Sequence, residues 1–185
     1  SVLNHSSVKI LPVLSSKINY DLNDKELSNN SLFGAQLNSS YKDVFFTQIK
    51  IGFQRGELSP YESSALYKRP FAPGIGYLND TVNNSFSKPF LEGIVSYNPN
   101  KFFVLSGGVG KQFFGDGYRS LWLSDYAPVF PFVKMESTFW KVKYINLWAM
   151  HDDLHTQLFS RQKWSSSHML SLNVSDWLNL SLFES

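Results

Sequence analysis

The sequence predicts an all-β protein whose strands build an antiparallel β-barrel wall with one apolar and one polar face. In residues 44–54 (VFFTQIKIGFQ) and 139–150 (FWKVKYINLWAM), a mostly apolar set of side chains at every second position alternates with a mixed, partly polar set. Successive side chains of a strand point to opposite faces, so this period of two predicts a lipid-facing side and a lumen-facing side. No apolar run approaches the roughly 18 residues of a transmembrane helix, and barrel strands do not need one.

The other elements follow from the same alternation and from turn residues. Further strands are predicted at 16–22, 32–37, 89–97, 101–109 and 132–137, and a last hairpin at 164–174 and 176–185. The Ser- and Asn-rich residues 28–31 and the Asn-Pro-Asn of 98–100 predict turns. Residues 56–88 interrupt the pattern with prolines and an Asn cluster. We predict a long loop or plug-like insertion there, with a helical turn or two.

The length of the chain limits how much of a barrel it supplies. Membrane strands of about 9–11 residues plus turns allow roughly eight or nine strands in 185 residues. The last predicted strand alternates to the end of the chain, and an unpaired edge in lipid would leave backbone groups without hydrogen bonds. We therefore expect residues 1–185 to form a single β-barrel portion, an incomplete N-terminal part of a larger barrel.

Composition argues against several classes of site. A net charge of +2 and a charged fraction of 17% give no basic face for nucleic acid. The absence of cysteine excludes disulfides and thiolate metal sites. The Gly-rich residues 107–111 lack the spacing of a phosphate-binding loop, and the His and Asp residues of 151–155 favour a polar hairpin tip over a metal site. We predict no metal and no cofactor.

Residues 111–131 (KQFFGDGYRSLWLSDYAPVFP) hold the densest set of candidate site residues. The Gly-Asp-Gly of 115–117 has the chemistry of a tight turn, because Gly tolerates positive φ and Asp bonds to its own backbone. A tyrosine and an arginine follow, which suits sugar recognition through a ring face and a rigid fork of N–H donors. The candidates for glycan binding or lumen bracing are Asp116, Tyr118, Arg119, Ser120, Trp122, Ser124 and Asp125.

The run GDGYRSLWLSD (115–125), followed by an aromatic and Pro-containing segment and then FWKVKYINLWA (139–149), resembles the Wzi-type capsule-assembly proteins of the bacterial outer membrane. It is most similar to the Bacteroidetes-like branch that includes gliding-motility-associated homologues. The N-terminal HSSVKILPVLSS (5–16) and the C-terminal HMLSLNVSDWLNLSLFES (168–185) also resemble the family. The resemblance implies an outer-membrane location, with surface polysaccharide and outer-membrane lipid as partners. No envelope protein partner is identified by the sequence.

The resemblance also implies binding rather than catalysis. Asp116 with Asp125, and Glu57 with Glu62, are the candidate carboxylate pairs for a glycoside hydrolase, and nothing in the sequence fixes the separation of either pair. The serines of the same stretch have no G-x-S-x-G context. We therefore predict a protein that is not an enzyme.

Two functions of a membrane barrel remain open at this point, beside the alternative of a soluble all-β sandwich. The first is non-covalent attachment or assembly of capsular polysaccharide, with a variant linked to gliding motility. The second is a structural or channel-type barrel in which Arg119 and Asp125 brace the lumen as an ion pair. The aromatic residues fit either an interfacial girdle or a sugar-stacking platform. They are Trp122, Tyr126, Phe130, Phe132, Trp140, Tyr144 and Trp148.

Overall fold

The structure is a computed structural model that describes residues 6–22, 25–66, 71–72, 75–78, 81–114, 123, 128–152 and 162–185. The described residues form a nine-stranded antiparallel sheet, a two-stranded hairpin and one helix. In chain order the elements are β1 Ser6–Tyr20, β2 Leu27–Tyr41, β3 Phe45–Glu57, α1 Pro60–Leu66, β4 Phe71–Ala72, β5 Gly76–Tyr77, β6 Ser85–Asn100, β7 Phe103–Gly110, β8 Phe130–Phe139, β9 Val142–Asp152, β10 Gln162–Ser175 and β11 Leu178–Glu184.

The large sheet is a meander in which each strand pairs antiparallel with the next one along the chain. Its order is β1-β2-β3-β6-β7-β8-β9-β10-β11, and β4 pairs with β5. Among the described strands, β1 and β11 pair on one side only. The predicted all-β antiparallel architecture is confirmed.

The register assigns each strand side chain to one of two faces, because directly paired residues of neighbouring strands point the same way. The face called here the apolar face carries, on the first four strands, Val8, Ile10, Leu14, Phe33, Leu37, Ile49, Ile51, Phe53, Leu91 and Val95. The opposite face, the polar face, carries Lys9, Gln36, Asn38, Gln48, Lys50, Gln54, Lys88, Glu92 and Ser96. Apolar side chains are unusually open, with Leu14 74% exposed and Phe53 62% exposed.

On β2, β3 and β6 the apolar face forms a belt of constant width, bounded at each end by a row of directly paired residues. One boundary is the paired row Phe33, Phe53 and Pro89, and the other is the paired row Tyr41, Phe45 and Tyr97. The belt therefore spans nine residues on each strand, within the range of about 9–11 residues for a membrane-crossing strand. Beyond the first row the face turns polar, with Arg55 lying between Ser31 and Ser87.

Glycines reveal that the sheet is more crowded on its polar face. Gly34 and Gly52 are direct partners there. A Cβ added to Gly34 would lie 2.1 Å from the Ile51 carbonyl oxygen, and one added to Gly52 would lie 2.0 Å from that of Phe33. On the apolar face, the nearest atom to a Cβ added at Gly93 would be 3.9 Å away. Crowding on one side and space on the other are expected where a sheet bends, concave toward its polar face.

Connections at the two ends of the strands differ in length. Residues 42–44, 101–102, 140–141 and 176–177 are short turns at one end. Residues 21–26, 58–84, 111–129 and 153–161 make the connections at the other end, and all of them are longer. Short turns on one side and long loops on the other are typical of outer-membrane barrels.

The longest connection, 58–84, contains α1, whose start is fixed by a reciprocal capping box. The Ser59 backbone N–H donates to Glu62 Oε2 at 2.8 Å, and the Glu62 N–H donates to Ser59 Oγ at 3.3 Å. Pro60 occupies the first helical position, where no N–H is needed. The expected helical turns are present, and the strands narrow the predicted 56–88 interruption to 58–84.

Several predicted strand limits are wrong. Residues 28–31 lie inside β2 rather than in a turn, and 98–100 belong to β6. The predicted strand 16–22 is the second half of β1, and the predicted strand 139–150 begins with a turn at Trp140 and Lys141. Pairing with β1 and β3 overrides the local turn preference of Ser and Asn at 28–31. At 98–100 the pairing of β6 with β7 is irregular between Tyr97 and Asn100.

Candidate functional site

The seven candidates Asp116, Tyr118, Arg119, Ser120, Trp122, Ser124 and Asp125 lie outside the described residues. The structure does place Phe114, which precedes these candidates, and Leu123, which lies among them. The Phe114 backbone N–H donates to the Leu123 carbonyl at 3.3 Å, and both side chains join a cluster with Phe130 and Phe132. Those two phenylalanines lie on the polar face of β8, so the loop is anchored on that face.

The 58–84 connection also covers the polar face, at the same end of the strands. Phe86 lies on the polar face of β6 and is buried beneath Leu58, Ala72, Ile75 and Leu78. Nearby, the Lys88 ammonium donates to the Ile75 carbonyl. A Cβ added to Gly76 would lie 3.6 Å from Pro128 Cβ, which places the two covering connections side by side.

Toward the short turns the polar face is open and forms a hollow of about 420 Å³. Its polar-face lining is Ser7, Lys9, Asn38, Ser40, Phe46, Gln48, Ile94 and Ser96. The volume lies in the range of about 300–1,000 Å³ found for small-molecule sites. One ammonium, several amides and hydroxyls, and one aromatic ring are the groups that bind a sugar through hydrogen bonds and stacking.

Side-chain hydrogen bonds hold the polar groups of the hollow in place. Asn38 Oδ1 accepts from Gln36 Nε2 at 2.8 Å and from Gln48 Nε2 at 3.2 Å. Ser7 and Ser40 share a hydroxyl bond of 2.9 Å across β1 and β2. A polar site held by its own network binds with less loss of side-chain freedom than a flexible one.

A charged cluster lies further along the polar face, on β8 and β9. Glu136 binds Lys134 at 2.7 Å through Oε1 and Lys143 at 2.6 Å through Oε2. Lys50 and Glu92 form a looser pair at 3.7 Å. The Glu136 cluster joins neighbouring strands and is a bracing contact of the kind predicted for Arg119 and Asp125.

The apolar face carries a polar cluster of its own on β9 and β10. His168 Nδ1 lies 2.6 Å from Asn146 Oδ1 and 3.2 Å from the Tyr144 hydroxyl. Asn146 is buried by its neighbours. These groups satisfy one another, which lowers the penalty of placing them on an otherwise apolar surface.

Aromatic residues concentrate at the short turns. Phe45 stacks on Tyr97 with ring centres 4.7 Å apart, and Phe102 stacks on Phe139 at 5.1 Å. Trp140 in the turn is 87% exposed. Of the predicted aromatic set, Phe130 and Phe132 instead belong to the buried polar-face cluster, whereas Tyr144 and Trp148 lie on the apolar face.

The chain matches no family model, no curated protein and no solved structure. The resemblance to Wzi-type proteins therefore stays a prediction carried by the motifs of 115–125 and 139–149. In the described part of the chain, no helix has the length and apolar character needed to cross a membrane. Within those same residues, no group of three or more His, Cys, Asp or Glu side chains is arranged to hold a metal ion.

Sequence reasoning missed the hollow and the Glu136 cluster. Alternation places Gln48 and Lys50 on one face of β3, but their partners Asn38 and Glu92 follow only from the register of β2 and β6. The capping box did have a local signal, since Ser59 and Glu62 stand three residues apart around a proline.

Proposed function

We propose that the chain forms part of an outer-membrane β-barrel that binds a surface polysaccharide non-covalently and helps to attach or assemble it. The observation that carries the membrane part is the exposed belt on β2, β3 and β6, nine residues long on each strand. Monomeric soluble proteins rarely expose apolar patches larger than a few hundred Å². Lipid is the partner that fits a level belt flanked by a polar row.

Closure of the barrel is part of this proposal. In lipid the free edges of β1 and β11 must find partners, because unpaired backbone groups there cost several kcal/mol each. Nine antiparallel strands would bring β1 and β11 together in parallel, whereas bacterial barrels have even strand numbers. Further strands between these edges satisfy both requirements, and the long connections then face the cell exterior.

The lumen-facing hollow supports the glycan part of the proposal. It combines Phe46 as a stacking ring with Asn38, Gln48 and Lys9 as donors to hydroxyl oxygens. Individually weak contacts to a repeating polymer add up through multivalency. The loop that carries the GDGYR motif is anchored on the same face.

The test is surface retention of polysaccharide in cells that carry Asn38→Ala with Gln48→Ala. We expect barrel level and heat-modifiable gel migration to stay unchanged while retained polysaccharide falls. Ser16→Ala with Ser31→Ala removes a hydroxyl pair from the apolar face of β1 and β2, outside the hollow, and cells that carry this control should retain the polysaccharide. Unchanged retention in both variants at matched protein level would contradict glycan binding at this site.

The alternative, a structural or channel-type barrel, is favoured by the Glu136 cluster, which braces the polar face without a ligand. The variants Arg119→Ala and Asp125→Ala distinguish the two functions. A passive barrel loses stability in these variants and keeps its surface polysaccharide. A glycan-binding barrel loses polysaccharide at matched protein level.

A further inference from the structure

Lysines are distributed one-sidedly over the large sheet. Every lysine in its described strands lies on the polar face, and none lies on the apolar face. They are Lys9, Lys17, Lys50, Lys88, Lys134, Lys143 and Lys163. The carboxylates described on that face are two, Glu92 and Glu136. A chain of net charge +2 thus concentrates positive charge on one surface.

The two glutamates do not balance this charge. Glu136 is shared by two ammonium groups, so its cluster keeps one positive charge. Glu92 offsets Lys50 at 3.7 Å. Lys17 and Lys163 make further contacts, so they are left out of the charge balance. The other five lysines and the two glutamates leave a formal excess of three positive charges among the described strand residues of the polar face. A concave surface lined by one sign of charge concentrates ligands of the opposite sign.

In the hollow, a lysine of this face lies beside uncharged groups of the kind that bind sugars. Lys9 lines it together with Phe46, Asn38 and Gln48. An ammonium attracts a carboxylate or phosphate, the amides donate to hydroxyl oxygens, and the ring packs against the apolar face of a sugar. We infer that the ligand of the polar face is an anionic glycan, whose carboxylate or phosphate groups lie against these lysines.

This inference rests on the proposed function and narrows it to a ligand class. A neutral glycan would use the amides and hydroxyls and gain nothing from the lysines. Free inorganic anions would use the lysines and gain nothing from Phe46. The combination in one hollow favours a polymer that carries both sugar rings and negative charge.

The experiment measures binding to the full-length protein in detergent by calorimetry, with oligogalacturonate and its fully methyl-esterified form as probes. The two probes share a sugar backbone and differ in charge. We expect the acid to bind and the ester to bind at least tenfold more weakly. We also expect binding of the acid to weaken from 50 to 500 mM NaCl, as charge screening requires.

Matched variants locate the interaction. Lys9→Gln removes the charge that lines the hollow, and we expect about fivefold weaker binding of the acid. Lys42→Gln removes the same charge from a short turn and should leave binding unchanged. Equal loss in both variants would mean a general charge effect and would overturn the assignment to the hollow.

The remaining outcomes separate the two proposals. Equal binding of acid and ester would overturn the anionic preference while glycan binding stands. Absence of binding by both probes would overturn this inference and count against the proposed function as well. Complete displacement of the acid by inorganic phosphate at equal ionic strength would show that the lysines bind small anions, and it would overturn the proposal of an anionic glycan ligand.

Discussion

Phe114 and Leu123 are joined by a backbone hydrogen bond, so the loop leaving β7 returns to the sheet before it reaches β8. Both residues pack into the cluster around Phe130 and Phe132 on the polar face. Phe114, just before the GDGYR segment, and Leu123, after it, are therefore held against the polar face of the sheet. This anchor leads to a first prediction.

Phe114→Ala should lower the free energy of unfolding by about 3 kcal/mol, because it removes a buried aromatic ring from the cluster. Phe113→Ala is the matched control, since Phe113 is 42% exposed and Phe114 is 8% exposed. Urea unfolding of the detergent-solubilised protein, followed by Trp fluorescence, measures both. A loss in Phe113→Ala as large as in Phe114→Ala would show that the cluster does not anchor the loop.

A second prediction concerns curvature. Gly52→Ala should lower stability by about 1–3 kcal/mol, the range for forcing extra atoms into a packed site. The added Cβ would lie 2.0 Å from the Phe33 carbonyl oxygen. Gly93→Ala on the apolar face should change stability by less than about 0.5 kcal/mol. Heat-modifiable gel migration and urea midpoints report the difference, and equal effects would argue against the concave polar face.

Glu136 gives a third prediction. Glu136→Gln leaves Lys134 and Lys143 close together without the carboxylate that binds both. The side chain is 18% exposed, so the expected loss of about 1–2 kcal/mol lies between those of surface and buried pairs. Glu92→Gln, at a looser and more exposed pair, should lose less than about 1 kcal/mol. Urea midpoints at low and high salt measure both variants, and a Glu92→Gln loss equal to that of Glu136→Gln would contradict the bracing role.

Alternation alone was enough to predict the two faces of β3. Phe45, Ile49 and Phe53 stand on one side and Gln48 and Lys50 on the other, as the register confirms. The signal is strong there because a long strand with one apolar face repeats it several times. The same logic predicted an all-β chain.

Strand limits failed where tertiary pairing outweighs local preference. Asn30 lies in a Ser- and Asn-rich run that is typical of turns, yet its Oδ1 accepts a hydrogen bond from Gln54 Nε2 at 3.0 Å inside the sheet. The predicted strand 16–22 missed the first half of β1, which contains Pro12. Proline is tolerated there because β1 pairs on one side only among the described strands. The turn at Trp140 was not predicted, because Trp140 adopts a φ of 54°, a conformation in which glycine or asparagine is usual.

The site was less predictable than the fold. The hollow unites Lys9, Asn38, Gln48 and Ser96 from four strands, and their meeting depends on register. A shift of one residue in any pair would move a whole set of side chains to the other face. Motif reading pointed instead to 115–125, of which the structure describes Leu123.

The lipid-facing belt provides the last prediction. Ile51 lies inside the belt on β3, one apolar-face position from the central Ile49, and is 53% exposed. Ile51→Arg should cost about 2–4 kcal/mol in a bilayer, because it places a charge near mid-membrane depth. Gln54→Arg introduces the same side chain on the polar face of the same strand and should cost less than about 1 kcal/mol. Folding into lipid vesicles, followed by urea titration, measures both. If the apolar face met water instead, Ile51→Arg would be tolerated as well as Gln54→Arg, and the membrane assignment would have to be given up.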